Sequence, residues 1–119
     1  MRKLILLVHS DTKFRNTVAS ALDRAGYDVI AFSDSMPAID ALEDARPPDM
    51  LITRTQFPEG TPTGLSLARM ALMKRRGIKV LITGRAHLAD LAEGVGEFHP
   101  HPVDMLRLLG AVERLLAES

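Results

Sequence analysis

Apolar residues occur in short runs and helical stripes that alternate along almost the whole chain. Leu4–Val8 is a continuous apolar run closed by the polar His9-Ser10-Asp11. That is the pattern of a strand buried on both faces. Phe14, Val18, Leu22 and Ala25 then recur at helical spacing, and Gly26 ends the stripe. Tyr27–Phe32 carries the β-branched and aromatic residues of a second strand. Ser33-Asp34-Ser35 offers capping side chains to a helix with Pro37 in its first turn and Ile39, Leu42 and Ala45 on its face. Arg46-Pro47-Pro48 breaks that helix, and Met50–Thr53 is the third strand. The loop Gln56–Gly64 holds two prolines and two glycines. Leu65, Ala68 and Leu72 start a third helix ending in Lys74-Arg75-Arg76-Gly77, ahead of a strand at Ile78–Thr83. His87–Glu93 predicts a short, weak helix, and Glu97–His99 at most a short fifth strand. Asp104 is placed to cap a final helix with Leu108, Leu109, Val112, Leu115 and Leu116 on its apolar side.

Strands alternating with helices through short loops predict a parallel sheet covered on both faces. The expected fold is α/β: a doubly wound, flavodoxin-like sheet of five parallel strands in the order 2-1-3-4-5, with about five helices. In such folds the site lies beyond the carboxyl ends of the strands. That rule alone selects His9, Ser10, Asp11, Arg54, Thr83 and His101.

Composition narrows the function classes. A chain of 119 residues fits one domain, residues 1–119, with a hydrophobic core of its own. Fifteen basic and fifteen acidic residues cancel, so charge gives no case for nucleic acid or membrane binding. There is no cysteine, which excludes disulfides and thiolate metal sites. The apolar N-terminal run is too short for a signal-peptide core, and no stretch approaches transmembrane length. The expected setting is cytoplasmic, with no output domain carried in cis.

Several local patterns recur in one known family. Leu4-Ile5-Leu6-Leu7-Val8 is followed by a polar triplet and Arg15. Gly26-Tyr27-Asp28-Val29 leads into the second strand, and Pro48-Asp49 with Pro58 frames the third. Val80-Leu81-Ile82-Thr83 ends the fourth strand, and His101-Pro102-Val103 precedes the last helix. In order and spacing, over nearly the full length, the chain resembles the receiver domain of bacterial response regulators, the CheY-like fold. Such a domain needs a carboxylate nucleophile, an acidic pair for magnesium, and a lysine and a hydroxyl that bind the phosphoryl oxygens.

Carried over residue by residue, the resemblance puts Arg54 at the phosphoacceptor position and His9 and Ser10 at the acidic pair. His101 takes the lysine position, and Thr83 keeps the switch hydroxyl. Asp11 remains as a cap for the first helix. This implies a degenerate pseudo-receiver, without phosphoryl transfer, metal or other cofactor. The resemblance also implies a cis His101–Pro102 peptide. The loop from Pro58 to Gly64 is about two residues longer than the family pattern. The stretch from Thr83 to His101 is about four residues shorter, close to one turn, which shortens the fourth helix.

Arg54 is expected either to bond Thr83 or a nearby carbonyl, or to point into solvent. Arg54, His9 and His101 are a candidate anion site. A transition metal on His9, His101 and His99 is disfavoured by the adjacent Arg54. His9 is a candidate pH switch, whereas Thr83 also suits a strand without any role. Lys74-Arg75-Arg76 reads as a solvated helix end, and Met70 or Met73 as the methionine exposed at the surface. No nucleophile–base pair is evident, so the chain is not expected to be an enzyme.

The leading expectation is a stand-alone atypical response regulator receiver of two-component signal transduction, acting by protein–protein interaction. Its partner would be a sensor histidine kinase, a phosphotransfer protein or another response regulator, docked around Phe14, Arg15, Pro102 and Val103. A homodimer is a further candidate. The alternative is a small anion- or ligand-sensing module built on Arg54, His9 and His101.

Overall fold

The computed structural model describes residues 2–57 and 60–118. Five strands, β1 (Leu4–Val8), β2 (Asp28–Phe32), β3 (Met50–Arg54), β4 (Lys79–Gly84) and β5 (Glu97–Pro100), form one sheet in the order β2-β1-β3-β4-β5. Every neighbouring pair is parallel. The helices are α1 (Thr12–Arg24), α2 (Ser35–Ala41), α3 (Gly64–Lys74) and α4 (Met105–Ala117), with a 3-10 helix at Ala86–Ala92. The expected flavodoxin-like order is therefore the observed one.

The pleat sends alternate residues of each strand to opposite faces, and each face has its own core. Leu6, Val8, Leu51 and Ile82 pack with Leu67, Ala68 and Ala71 of α3 and with Ala38 and Ala41 of α2. Ile5, Leu7, Met50, Ile52 and Leu81 pack with Val18 and Leu22 of α1 and with Leu108, Val112 and Leu116 of α4. All five residues of β1 are buried, as the unbroken apolar run requires.

Some boundaries differ from the sequence reading. Helix α2 stops at Ala41, with Leu42 as its C-cap, so Ala45 lies outside it and is exposed. The buried face is Ala38, Ala41 and Leu42, and Ile39 is only partly covered. In α1 the stripe stops at Leu22. Ala25 is the exposed C-cap, and Gly26 follows at φ 101°, a left-handed conformation that favours glycine. The fourth helical segment is 3-10 rather than α; Arg85 provides no side-chain cap for it. The loop from Pro58 to Gly64 includes Pro58 and Glu59, which lie outside the described residues.

Asp11, Asp34 and Asp104 cap where the sequence puts them, and Thr63 adds a cap within the stretch read as loop. Asp11 accepts from the Phe14 N–H, Asp34 from Met36, Thr63 from Ser66, and Asp104 from both Leu106 and Arg107. Asp104→Ala leaves two first-turn donors of α4 without that acceptor and is expected to cost about 1 kcal/mol, checked by urea unfolding. Arg75 is not a solvated cation: it donates to the Pro47 and Pro48 carbonyls and to Asp49, which itself accepts from the Leu4 N–H. Lys74 pairs with Glu43. Met73 is 85% exposed and Met70 is packed against the core, so Met73 is the exposed one of the two. Among the described residues no helix is long and apolar enough to cross a membrane.

Candidate functional site

The parallel register brings the selected residues to one edge of the sheet. Val8 of β1 lies opposite Thr53 of β3, and Arg54 lies opposite Thr83 of β4. His9 follows Val8 directly, so His9, Arg54 and Thr83 succeed one another across three adjacent strands. Beyond β4, Gly84 pairs with Pro100, and the His101 N–H donates to the Gly84 carbonyl at 2.8 Å. The His101–Pro102 peptide is cis.

His9 is nearly enclosed, with 3% of its surface exposed. Its ring lies 4.3 Å from the Phe14 ring and 5.9 Å from the His101 ring, centroid to centroid. Arg15 donates from Nη1 to the His9 carbonyl at 2.6 Å. The Asp11 N–H donates to His9 Nδ1 at 3.2 Å, so that nitrogen holds a lone pair and the proton sits on Nε2. His9, Asp11, Phe14, His101, Pro102 and Val103 line a cleft of about 300 Å³.

Among the described residues, Arg54 does neither of the two things expected of it. It does not bond Thr83, and its guanidinium is not loose in solvent. Nη1 donates to the Ser10 hydroxyl at 2.6 Å, joining the end of β3 to the loop after β1. Thr83 is fully buried, and its hydroxyl has no partner among the described residues. The Arg54 Nε and His9 Nε2 are likewise buried and unpaired. Each such group costs on the order of 1–3 kcal/mol if nothing satisfies it.

No protein-family model matches the chain. The response regulator receiver protein CpdR of Brucella abortus (strain 2308) is 35% identical to it over 88 residues, which cover 73% of this chain and 71% of that protein. This chain belongs to the response regulator receiver family. The crystal structure of a response regulator receiver protein from Sinorhizobium medicae WSM419 superposes with a TM-score of 0.88 at 25% identity, covering 98% of this chain and 96% of that one. The receiver domain of NtrX from Brucella abortus gives 0.86 at 23% identity over 97% of this chain and 99% of that one. Vibrio cholerae chemotaxis protein CheY4 gives 0.81 at 21%, over 97% and 99%. These last two show the shared fold.

The charge of this receiver's site is narrower than its residue types suggest. Burial pushes the His9 pKa down to about 4, helped by Arg54, His101 and Arg15 and opposed by Asp11. Burial, then Arg54, also lowers His101, against the pull of Asp11. Both imidazoles are therefore neutral near pH 7, and the expected three-cation pocket reduces to one guanidinium among the selected residues. Asp11 is held below the usual carboxylate range chiefly by the Phe14 N–H, with His9, the Lys13 N–H and Arg54 adding to it. Its carboxylate faces the first turn of α1.

Two features escaped the sequence reading. Phe14 belongs to the apolar stripe of the first helix and Arg15 to the family pattern, and both to the docking rim, yet they also wall in the His9 ring and hold its carbonyl. The spacing of five and six residues from His9 places them on the first turn of α1, which is the signal available. His99, weighed as a metal ligand with His9 and His101, instead bonds Glu97 at 2.8 Å, and Glu97 also takes Arg114 of α4 at 2.5 Å. Glu97 and His99 are two apart on β5 and share a face, but their link to Arg114 needs the tertiary fold.

Proposed function

We propose that this receiver acts by binding a signalling protein, without passing through an aspartyl phosphate. The observation that carries this reading is Arg54 at the end of β3, with its guanidinium on Ser10 where the family resemblance calls for a carboxylate. A guanidinium is neither a phosphoryl acceptor nor a ligand for a hard cation. The surrounding donors do not fit magnesium. His9 offers a neutral imidazole, Ser10 a hydroxyl already bonded, and Asp11 a carboxylate engaged as a helix cap. Among the described residues no three His, Cys, Asp or Glu converge on a possible metal position. No catalytic residue is assigned.

The partner classes that suit a receiver are a sensor histidine kinase, a phosphotransfer protein and another response regulator. Docking would use the rim formed by Phe14, Arg15, Pro102 and Val103, part of which lines the cleft beside His9. Incubation with acetyl phosphate, with and without magnesium, is expected to leave the intact mass unchanged. An acid-labile gain of one phosphoryl group would overturn the proposal.

A further inference from the structure

Among the described residues, only three buried side-chain nitrogen or oxygen atoms lack a hydrogen-bond partner: His9 Nε2, Arg54 Nε and Thr83 Oγ1. They are not scattered. The register places their residues next to one another across β1, β3 and β4, at the same edge of the sheet. Their chemistry is also of one kind. The Asp11 N–H on His9 Nδ1 leaves Nε2 as a donor. An arginine Nε only donates, and a threonine hydroxyl donates as readily as it accepts. What is missing is an acceptor. Arg54 takes part in no ion pair among the described residues; the nearby carboxylate of Asp11 acts on it at longer range while bonding the Phe14 N–H.

We infer that the Arg54 edge of the sheet binds a small oxyanion reversibly, held by the guanidinium and by the hydroxyl and imidazole donors of Thr83 and His9. Three buried, unpartnered donors on neighbouring strand ends and one positive charge suit the acceptor oxygens and charge of such a ligand. The three atoms have almost no solvent exposure, which limits any ligand that reaches them to a small one and rules out a nucleotide. Entry requires the guanidinium to swing, and its outer tether among the described residues is the bond to Ser10, an exposed residue. Asp11 opposes the binding and sets a limit on its strength. The ligand is either a free tetrahedral ion or a carboxylate presented by another molecule, and both share this chemistry. The inference is independent of the docking proposal: a reversibly held anion leaves no covalent adduct, so each can fail alone.

The test is titration of the protein with inorganic phosphate and, separately, acetate, against potassium chloride at equal ionic strength. Heat is read by calorimetry, and the Arg54 Nε–H and His9 Nε2–H resonances by NMR. A saturable response beyond chloride is expected, with both resonances shifting. Response to phosphate alone identifies a free tetrahedral ion; a comparable response to acetate identifies a carboxylate. Arg54→Ala is expected to weaken binding at least about tenfold. Arg69→Ala, which removes an exposed cation on α3, is expected to leave it unchanged. Arg54→Gln supplies the same comparison if the alanine variant misfolds. No saturable response to either anion, or one that survives loss of Arg54, would overturn the inference.

Discussion

Lowering the pH from about 7.5 to about 5 is expected to remove about 2 kcal/mol of folding stability through His9 alone. Its pKa is about 4 in the folded protein against 6.5 in the unfolded chain. Between those values the unfolded state binds the proton and the folded state does not. Stability therefore rises with pH across that window; it is fully present above about 6.5 and is lost as the pH falls toward about 4. The cause is physical and local. The ring is 3% exposed, faces Arg54, His101 and Arg15, and gains only partial relief from Asp11. An imidazolium would also set a second donor against the Asp11 N–H at Nδ1. His101, likewise lowered, adds to the loss with the same sign. Glu97 and Asp11 are lowered carboxylates, so their losses come at more acid pH. Urea unfolding of wild type and His9→Gln at the two pH values isolates the histidine. The variant should lose about 2 kcal/mol less; equal losses would assign the acid sensitivity elsewhere.

That result bears on function because neutral imidazoles at His9 and His101 leave Arg54 as the one cation among the selected strand-end residues, with Arg15 of α1 adjoining through the His9 carbonyl. A site in which both imidazoles titrated near neutral pH would change its anion affinity steeply there. One guanidinium flanked by neutral imidazoles does not. Above about pH 7 the imidazoles are neutral, so acetate binding should be flat from about pH 7 to 8, whereas phosphate binding follows the ion's own titration.

How much of this could be read from the sequence depends on the range of the forces involved. The unbroken run Leu4–Val8 dictated a strand covered on both faces, because only a central parallel strand hides every side chain. Asp11, Asp34 and Asp104 could be placed as caps since capping is a local act within three residues. The convergence of His9, Arg54, Thr83 and His101 followed from the rule that parallel strands end at one edge. What could not be read was decided by distant partners. Arg54 is long enough to reach several groups, and only the register of β1 against β3 selects Ser10. The protonation of His9 depends on Phe14, Arg15 and His101 closing around it. Arg75, two residues from Gly77, read as a solvated helix end; folding instead lays it against the Pro47 and Pro48 carbonyls. The 3-10 form at Ala86–Ala92 and the end of α2 at Ala41 are details that apolar periodicity does not encode.

The largest single-site effect is expected at Gly64, the first residue of α3. Its N–H donates to the Thr55 carbonyl at 3.0 Å, and Thr55 in turn donates to the Thr83 carbonyl at 2.8 Å. This chain of bonds closes the neck of the loop that follows Arg54 and seats α3 against the sheet. A Cβ on Gly64 would lie 1.6 Å from the Arg54 carbonyl oxygen and 2.7 Å from its carbon, with Thr53 Oγ1 at 2.9 Å. The first two are backbone atoms, so no rotamer change relieves the clash, and either α3 or the end of β3 must move. Gly64→Ala is expected to destabilise by about 3 kcal/mol. It should also displace Arg54 and break its bond to Ser10. Gly110 supplies the contrast, because a Cβ there meets nothing within 4 Å. Gly110 lies within α4 and is exposed, so Gly110→Ala should stabilise by about 0.5–1 kcal/mol through helix propensity and lost backbone freedom. Urea unfolding of both variants is the measurement. Equal and small effects would mean that the approach of α3 to Arg54 is looser than the geometry requires; opposite signs would bear out the close approach of Gly64 to the Arg54 carbonyl.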